Sequence, residues 1–312
     1  MSGVSSSKGQ LLNVPEIKAY LSQVAPVSFN NNTFRFGEII NRKLEKHIRG
    51  YYSYDIRVNG DVIYKPYSNI VKIGKEGTDE IKGIEFIDLC YESTKLAFGW
   101  LGSLALKGRI DQSDLVGGIR VRSGNIQIGN NNILSECFRE TRFGDYLLGE
   151  IHINNNQIIA NSRRDNFEDS KLWDLFLSCF IRDIGIPYSR KIRELSNARN
   201  QAKTMQDFDT ICKRAERIIE YGYYSEIQKA DLLQKISLFN TRLTASNNNY
   251  LSKLQNRLRE AIHVIDKRNG SMDFNNKKFA KAIIDAVYCM EDNKDKAEKI
   301  IEQAIGSYVQ NS

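Results

Sequence analysis

The chain has 312 residues, 41% apolar and 27% charged, with 45 Lys+Arg against 38 Asp+Glu. That mixture excludes a disordered polyelectrolyte and supplies enough apolar surface for ordinary cores, at a length expected to hold about two domains. No apolar run approaches the ~18 residues of a membrane-spanning helix, and the opening MSGVSSSKGQ lacks the apolar stretch of a secretory signal, so a cytoplasmic location is expected.

After a flexible leader over 1–13, a first helix is expected over 14–23 and a second over 36–47, with Ile39, Ile40 and Leu44 on one face. Residues 54–58 and 62–64 flank Asn59-Gly60, a dipeptide suited to a tight hairpin. A second strand pair is predicted at 84–89 and 96–101. A third hairpin joins 119–122 to 126–128 around Ser123-Gly124-Asn125. A fourth is predicted from 147–153 and 157–160 about the triplet Asn154-Asn155-Asn156. Residues 167–184 then read as a helix with Leu172, Leu175, Phe176, Cys179 and Phe180 at three- and four-residue spacing.

All four prolines and 18 of the 21 glycines lie before residue 190. Because these residues punctuate turns and interrupt helices, the fold class expected is α+β over 14–189, a two-layer sandwich, followed by an all-α region over 190–312. The boundary is placed near Pro187. Helices are predicted over 192–221, 225–267 and 276–309, with Asn247-Asn248-Asn249 able to interrupt the second and Gly270 ending it. The stripes Leu251, Leu254, Leu258, Ile262, Ile265 and Phe279, Ile283, Ala286, Val287, Met290 read as bundle core. Residues 190–312 hold 22 Lys+Arg against 16 Asp+Glu, so +6 of the chain's net +7 belongs there.

Few motifs carry chemistry. Gly74-Lys75 lacks the rest of a phosphate-binding loop. His47, His152 and His263 have no partner at metal-ligand spacing, so no metal site is expected. The five cysteines (Cys90, Cys137, Cys179, Cys212, Cys289) are odd in number and never paired as C-x-x-C, which points to reduced thiols. Glu80-Ile81-Lys82 is too common a triplet to mark a nuclease. Arg120 and Arg122 share one sheet face, read as solvated or as contacting an anion. Most informative is Asn161-Ser162-Arg163-Arg164-Asp165, which places two adjacent guanidiniums at an expected strand end with an acid to orient one of them toward an anion.

Gly149-Glu150-Ile151-His152-Ile153 and the Asn161–Asp165 run resemble the middle domain of the ninety-kilodalton heat-shock chaperone, where an F-I-R-G-V-V strand precedes an L-P-L-N-I-S-R-E turn. Further pieces fit the corresponding block of bacterial chaperone-like GHKL ATPases in the expected order: Ile63-Tyr64-Lys65-Pro66-Tyr67, Gly99-Trp100-Leu101-Gly102, Gly118–Arg122 and Ile126–Gly129. The resemblance covers residues 24–190. It implies a transducer domain, of ribosomal-protein-like fold, that couples ATP turnover in a separate domain to conformational change. It further implies that a basic residue reaches the γ-phosphate across the domain boundary. Matching Ser-Arg-Glu onto Arg163-Arg164-Asp165 selects Arg164, and matching the serine to Ser162 selects Arg163; the acid favours Arg164. Asn161 and Ser162 would flank the nucleotide.

The sequence departs from the family in lacking the ATP domain: no metal-binding asparagine helix, no D-x-G-x-G (Pro187 stands where the last glycine of Asp183-Ile184-Gly185-Ile186 would fall) and no glycine-rich lid. ATP and Mg are therefore expected only through a GHKL domain on the same or another chain, with no catalysis by this chain alone. The C-terminal helices are expected to form a homodimer or dock a protein client. The alternatives from a different class are a nucleic-acid-binding module, using the C-terminal charge and Arg120/Arg122, and an oligomerisation scaffold.

Overall fold

The computed structural model describes residues 13–221, 226–240, 252–260, 262–263, 287, 296, 299–301 and 303. It divides into two compact units, Met1–Arg199 and Asn200–Ser312, and the architecture is α+β.

The first unit opens with α1 (Val14–Val24), started by a reciprocal capping box between Asn13 and Glu16 with Pro15 in the first turn. Helix α2 (Gly37–His47) buries Ile40 and Leu44. Two small hairpins follow, β1 (Arg57–Val58) with β2 (Asp61–Val62) and β3 (Ile70–Ile73) with β4 (Gly77–Glu80). The first turns at Asn59 (φ 53°) and Gly60 (φ 89°), the positive-φ pair that tight hairpins need. Its paired strands are only two residues long, shorter than predicted.

The central sheet holds β5 (Ile84–Tyr91), β6 (Thr94–Gly102), β7 (Gly118–Ser123), β8 (Ile126–Ile128) and β9 (Leu148–Ile153) in the order β5-β6-β9-β7-β8. Strand β9 runs antiparallel to β6 and parallel to β7. Here the fourth expected hairpin fails. Both edges of β9 are occupied by β6 and β7, so residues 157–160 have no ladder to join, and their segment makes only the bridge Ala160–Phe167. Close strand approach depends on two glycines. A Cβ at Gly99 would stand 2.3 Å from the Glu150 carbonyl oxygen, and one at Gly149 2.2 Å from that of Trp100.

Strand alternation sorts side chains onto the two sheet faces. Leu101, Ile119, Val121, Ile151 and Ile153 pack with Trp173, Phe176 and Phe180 of α3 (Lys171–Phe180). The opposite face is covered by α2 and the aromatic group Phe29, Phe34, Tyr67 and Trp100. Helix α3 starts at the Ser170 cap, later than predicted, because Phe167 is held in the bridge with Ala160 and stacks on Trp173 at 4.5 Å.

The helical path does not stop at Pro187, which corrects the sequence reading. A π-turn over Ile181–Gly185 leads into α4 (Ile186–Tyr221), with the Ile186 amide donating five residues back to Ile181. The widened turn lies where the proline lacks an N–H and its ring crowds the preceding carbonyls. In the second unit, Phe208, Ile211, Ala215 and Ile218 pack with Leu232 and Ile236 of α5 (Glu226–Asn240) and with Leu254, Leu258 and Ile262. Leu251, Ile265 and the stripe from Phe279 to Met290, except Val287, lie outside the described residues. Among the described residues no helix is long and apolar enough to cross a membrane.

Candidate functional site

The Asn161–Asp165 segment is a tight exposed turn. The Arg164 amide donates to the Asn161 carbonyl at 3.0 Å and the Asn161 amide to Asn166 at 2.9 Å. Asn161 brackets the turn with its side chain, Nδ2 donating to Asp165 Oδ1 at 2.6 Å and Oδ1 accepting from the Asp165 amide at 3.2 Å. Its fixity therefore comes from an asparagine bracket and the Ala160–Phe167 bridge rather than from the expected strand end. Asn161 thus has a bracing role here, while Ser162 is exposed beside it.

Arg163 is 82% exposed and pairs with Asp165 at 3.4 Å, so the acid orients this guanidinium and not that of Arg164. Arg164 is exposed and adopts φ 56°, a left-handed conformation that bulky residues seldom take. Its carbonyl accepts the Gly129 amide at 2.9 Å, pinning the turn to the end of β8. The turn fixes the backbone from which both exposed guanidiniums extend, and each can donate to an oxyanion in solvent.

Arg120 and Arg122 are the largest departure from expectation. Both are fully buried, so neither can be a solvated face nor meet a phosphate from solvent. They belong to a buried network around Glu150, in the middle of β9. Glu150 Oε2 lies 2.7 Å from Lys65 Nζ and 3.2 Å from His152 Nε2. Its Oε1 lies 2.7 Å from Arg122 Nε and accepts the Tyr67 hydroxyl at 3.1 Å. Arg122 Nη1 donates to the Asn125 carbonyl (2.9 Å) and Nη2 to that of Gln23 (2.7 Å). Arg120 donates to the carbonyls of Leu115, Val116 and Gly117 and to Gln23 Oε1. Asn125 receives Lys65 Nζ at 2.9 Å and donates to the Tyr52 carbonyl at 2.8 Å.

Burial pushes the Glu150 carboxyl up, but Arg122 and Lys65 outweigh it and hold the acid well below its ordinary range. Burial and the facing Arg122 pull the Lys65 ammonium down to about 7, against Glu150. Burial likewise pulls His152 down to about 4, so its ring is neutral near pH 7. With its side chains sealed from solvent, this cluster ties β7 and β9 to α1 and to residues 51–67.

Sequence reasoning missed Lys65, Glu150, His152, Gln23 and Asn125 as members of one site. Their signal was the alternation Glu150-x-His152 beside Arg120-x-Arg122, which mimics a solvent face when read strand by strand. Three segments distant in sequence, residues 63–67, 118–122 and 149–153, meet in this cluster. Elsewhere, His47 stacks on Phe98 at 4.2 Å, Glu80 pairs with Arg35, and Cys90, Cys137, Cys179 and Cys212 are free thiols. Among the described residues no group of His, Cys, Asp and Glu could hold a metal ion. The chain matches no family model and no curated protein.

Proposed function

We propose that this chain is the transducer and C-terminal part of a chaperone-like GHKL ATPase, coupling nucleotide turnover in a separate ATP-binding domain to conformational change. The observation supporting it most is the bracketed Asn161–Asp165 turn, which presents two exposed guanidiniums from a backbone fixed to β8. In this reading Arg164, with Arg163 beside it, reaches the γ-phosphate and stabilises charge developing in phosphoryl transfer. ATP and Mg are held by the other domain. The helical unit serves dimerisation or client docking. Burial of Arg120 and Arg122 removes one of the two supports of the nucleic-acid reading, which then rests on the charge of residues 190–312 alone.

The test is ATP turnover by the native polypeptide isolated from source cells, together with whatever remains bound to it. Wild type is compared with Arg164→Asn and Arg163→Ala. Asparagine is chosen at 164 because it tolerates positive φ. Loss of a cation acting on the transferred phosphoryl group is expected to slow turnover ~10³-fold with the thermal midpoint unchanged. Wild-type turnover in both variants, or no ATPase in the native assembly, would overturn the assignment.

A further inference from the structure

We infer that the β7–β8 hairpin couples the docking of α1 to the geometry of the Arg163–Arg164 turn, so that the first helix acts on the exposed guanidiniums through two buried arginines. The purpose of this coupling rests on the reading of that turn as anion-binding; the coupling itself stands on contacts and is measured without nucleotide.

At one end, α1 buries no residue of its own. It is held by half-buried Leu21 against Ala25, Val27 and Ile63, by the exposed Lys18–Asp61 pair, which contributes little, and by Arg120 and Arg122. The two guanidiniums converge on Gln23, Arg122 on its carbonyl at 2.7 Å and Arg120 on its side-chain oxygen at 3.3 Å. Gln23 lies in the last turn of α1, where the helix presents its partial negative charge. The core here holds Lys65, Arg120 and Arg122 against the single carboxylate of Glu150. The helix end therefore supplies part of the negative charge that these buried cations require. Docked and undocked arrangements of α1 differ by desolvation of two guanidiniums, which favours a switch between discrete states over gradual deformation.

At the other end, Gly129 follows directly after β8. Its amide donates to the Arg164 carbonyl at 2.9 Å, and Gln127 Nε2 donates to its carbonyl at 3.0 Å. A Cβ at Gly129 would stand 2.8 Å from the Asp165 carbonyl oxygen, so hairpin and turn are in direct backbone contact. Between these ends, Arg122 Nη1 staples the hairpin tip through the Asn125 carbonyl, and α1 packs on β8. A three-residue strand fixed at both ends has little room to absorb a displacement.

Residue-resolved amide hydrogen exchange on the whole chain tests this with Arg122→Met. Loss of Arg122 also lowers overall stability, so expected is exchange at Ala25, Gly129 and Arg164 faster by roughly tenfold or more beyond any rise shared by Ala97 and Phe98 of β6 and Phe176 of α3. Faster exchange at Ala25 with Gly129 and Arg164 unaffected would overturn the coupling. So would equal acceleration at every amide, since Arg122 would then be supporting the fold as a whole. Should Arg122→Met fail to fold, Gln23→Ala removes the Arg120 contact while leaving the Arg122 bond to the carbonyl. The same three amides are then expected to speed up by a smaller factor. No change at Gly129 and Arg164 with a rise at Ala25 would again overturn the coupling. Loss of coupling with intact ATP turnover, or the reverse, separates this inference from the proposed function.

Discussion

Replacing Glu150 by glutamine tests whether this carboxylate is what makes the buried cations tolerable. Its oxygens lie 2.7 Å from both Lys65 Nζ and Arg122 Nε, and all three side chains are fully buried. Glutamine keeps one acceptor, turns an NH₂ donor toward groups that are themselves donors, and removes the charge. Breaking a buried pair by deleting one partner costs about 3–5 kcal/mol. Lys65, already drawn down to about 7 by burial and Arg122, can shed its proton and relieve part of the excess, which places the expected loss near ~3 kcal/mol. At a urea dependence of about 2 kcal/mol per molar, the midpoint should fall by ~1.5 M with the slope preserved. Both tryptophans, Trp100 and Trp173, lie in the first unit and are buried, so tryptophan fluorescence in a urea titration at pH 7 reads that unit selectively. Replacing Lys65, Arg122 and Glu150 together by methionine should restore much of the midpoint, because no uncompensated charge of the three remains. A midpoint within ~0.3 M of wild type for Glu150→Gln, set against the shift expected from a buried pair, would refute the reasoning, as would a triple variant no better than the single one.

Two further outcomes concern the pairing of β6 with β9. His152 touches Glu150 and the Tyr51 ring, with Lys65 and Arg122 close by, and burial holds its pKa at about 4 against an ordinary 6.5. Between those values the unfolded chain takes up a proton that the native state refuses. This contribution to stability is therefore complete above pH 6.5 and is lost as pH falls toward 4, by up to ~1.4 kcal/mol per unit. Stability measured across pH 4–7 should show this slope reduced in His152→Gln, and parallel curves for the two proteins would contradict it. At Gly99, a methyl group would meet the Glu150 carbonyl oxygen at 2.3 Å and the Ile151 Cα at 2.9 Å, both backbone atoms. Gly99→Ala should cost at least ~1–3 kcal/mol in a urea titration, and an unchanged midpoint would show that β6 and β9 can separate without loss.

The α+β class and the helical character of the second part were legible from local rules. Proline ends before residue 190 and all but three glycines lie before it, Asn59-Gly60 and Gly124-Asn125 demand positive φ, and the Phe176–Phe180 spacing marks a buried helix face. These signals act over a few residues, where backbone sterics and side-chain periodicity decide the outcome. The exposure of Arg163 and Arg164 was legible for the same reason, since a short polar turn leaves its side chains in water.

What the sequence could not decide was what lies against each strand. Arg120, Arg122, Glu150 and His152 alternate with apolar residues as a solvent-facing row would. They are nevertheless sealed because α1 and residues 51–67, far away along the chain, cover that face. The missing fourth hairpin has a similar origin. Residues 157–160 have apolar strand character, but β9 had already been paired on both edges by β6 and β7. Helix continuity through Pro187 likewise depended on a π-turn. Local residue preference fixed the turns and helix faces of this protein. Long-range pairing and desolvation decided which charges are buried together, because burial is a property of the assembled layers and not of any one strand.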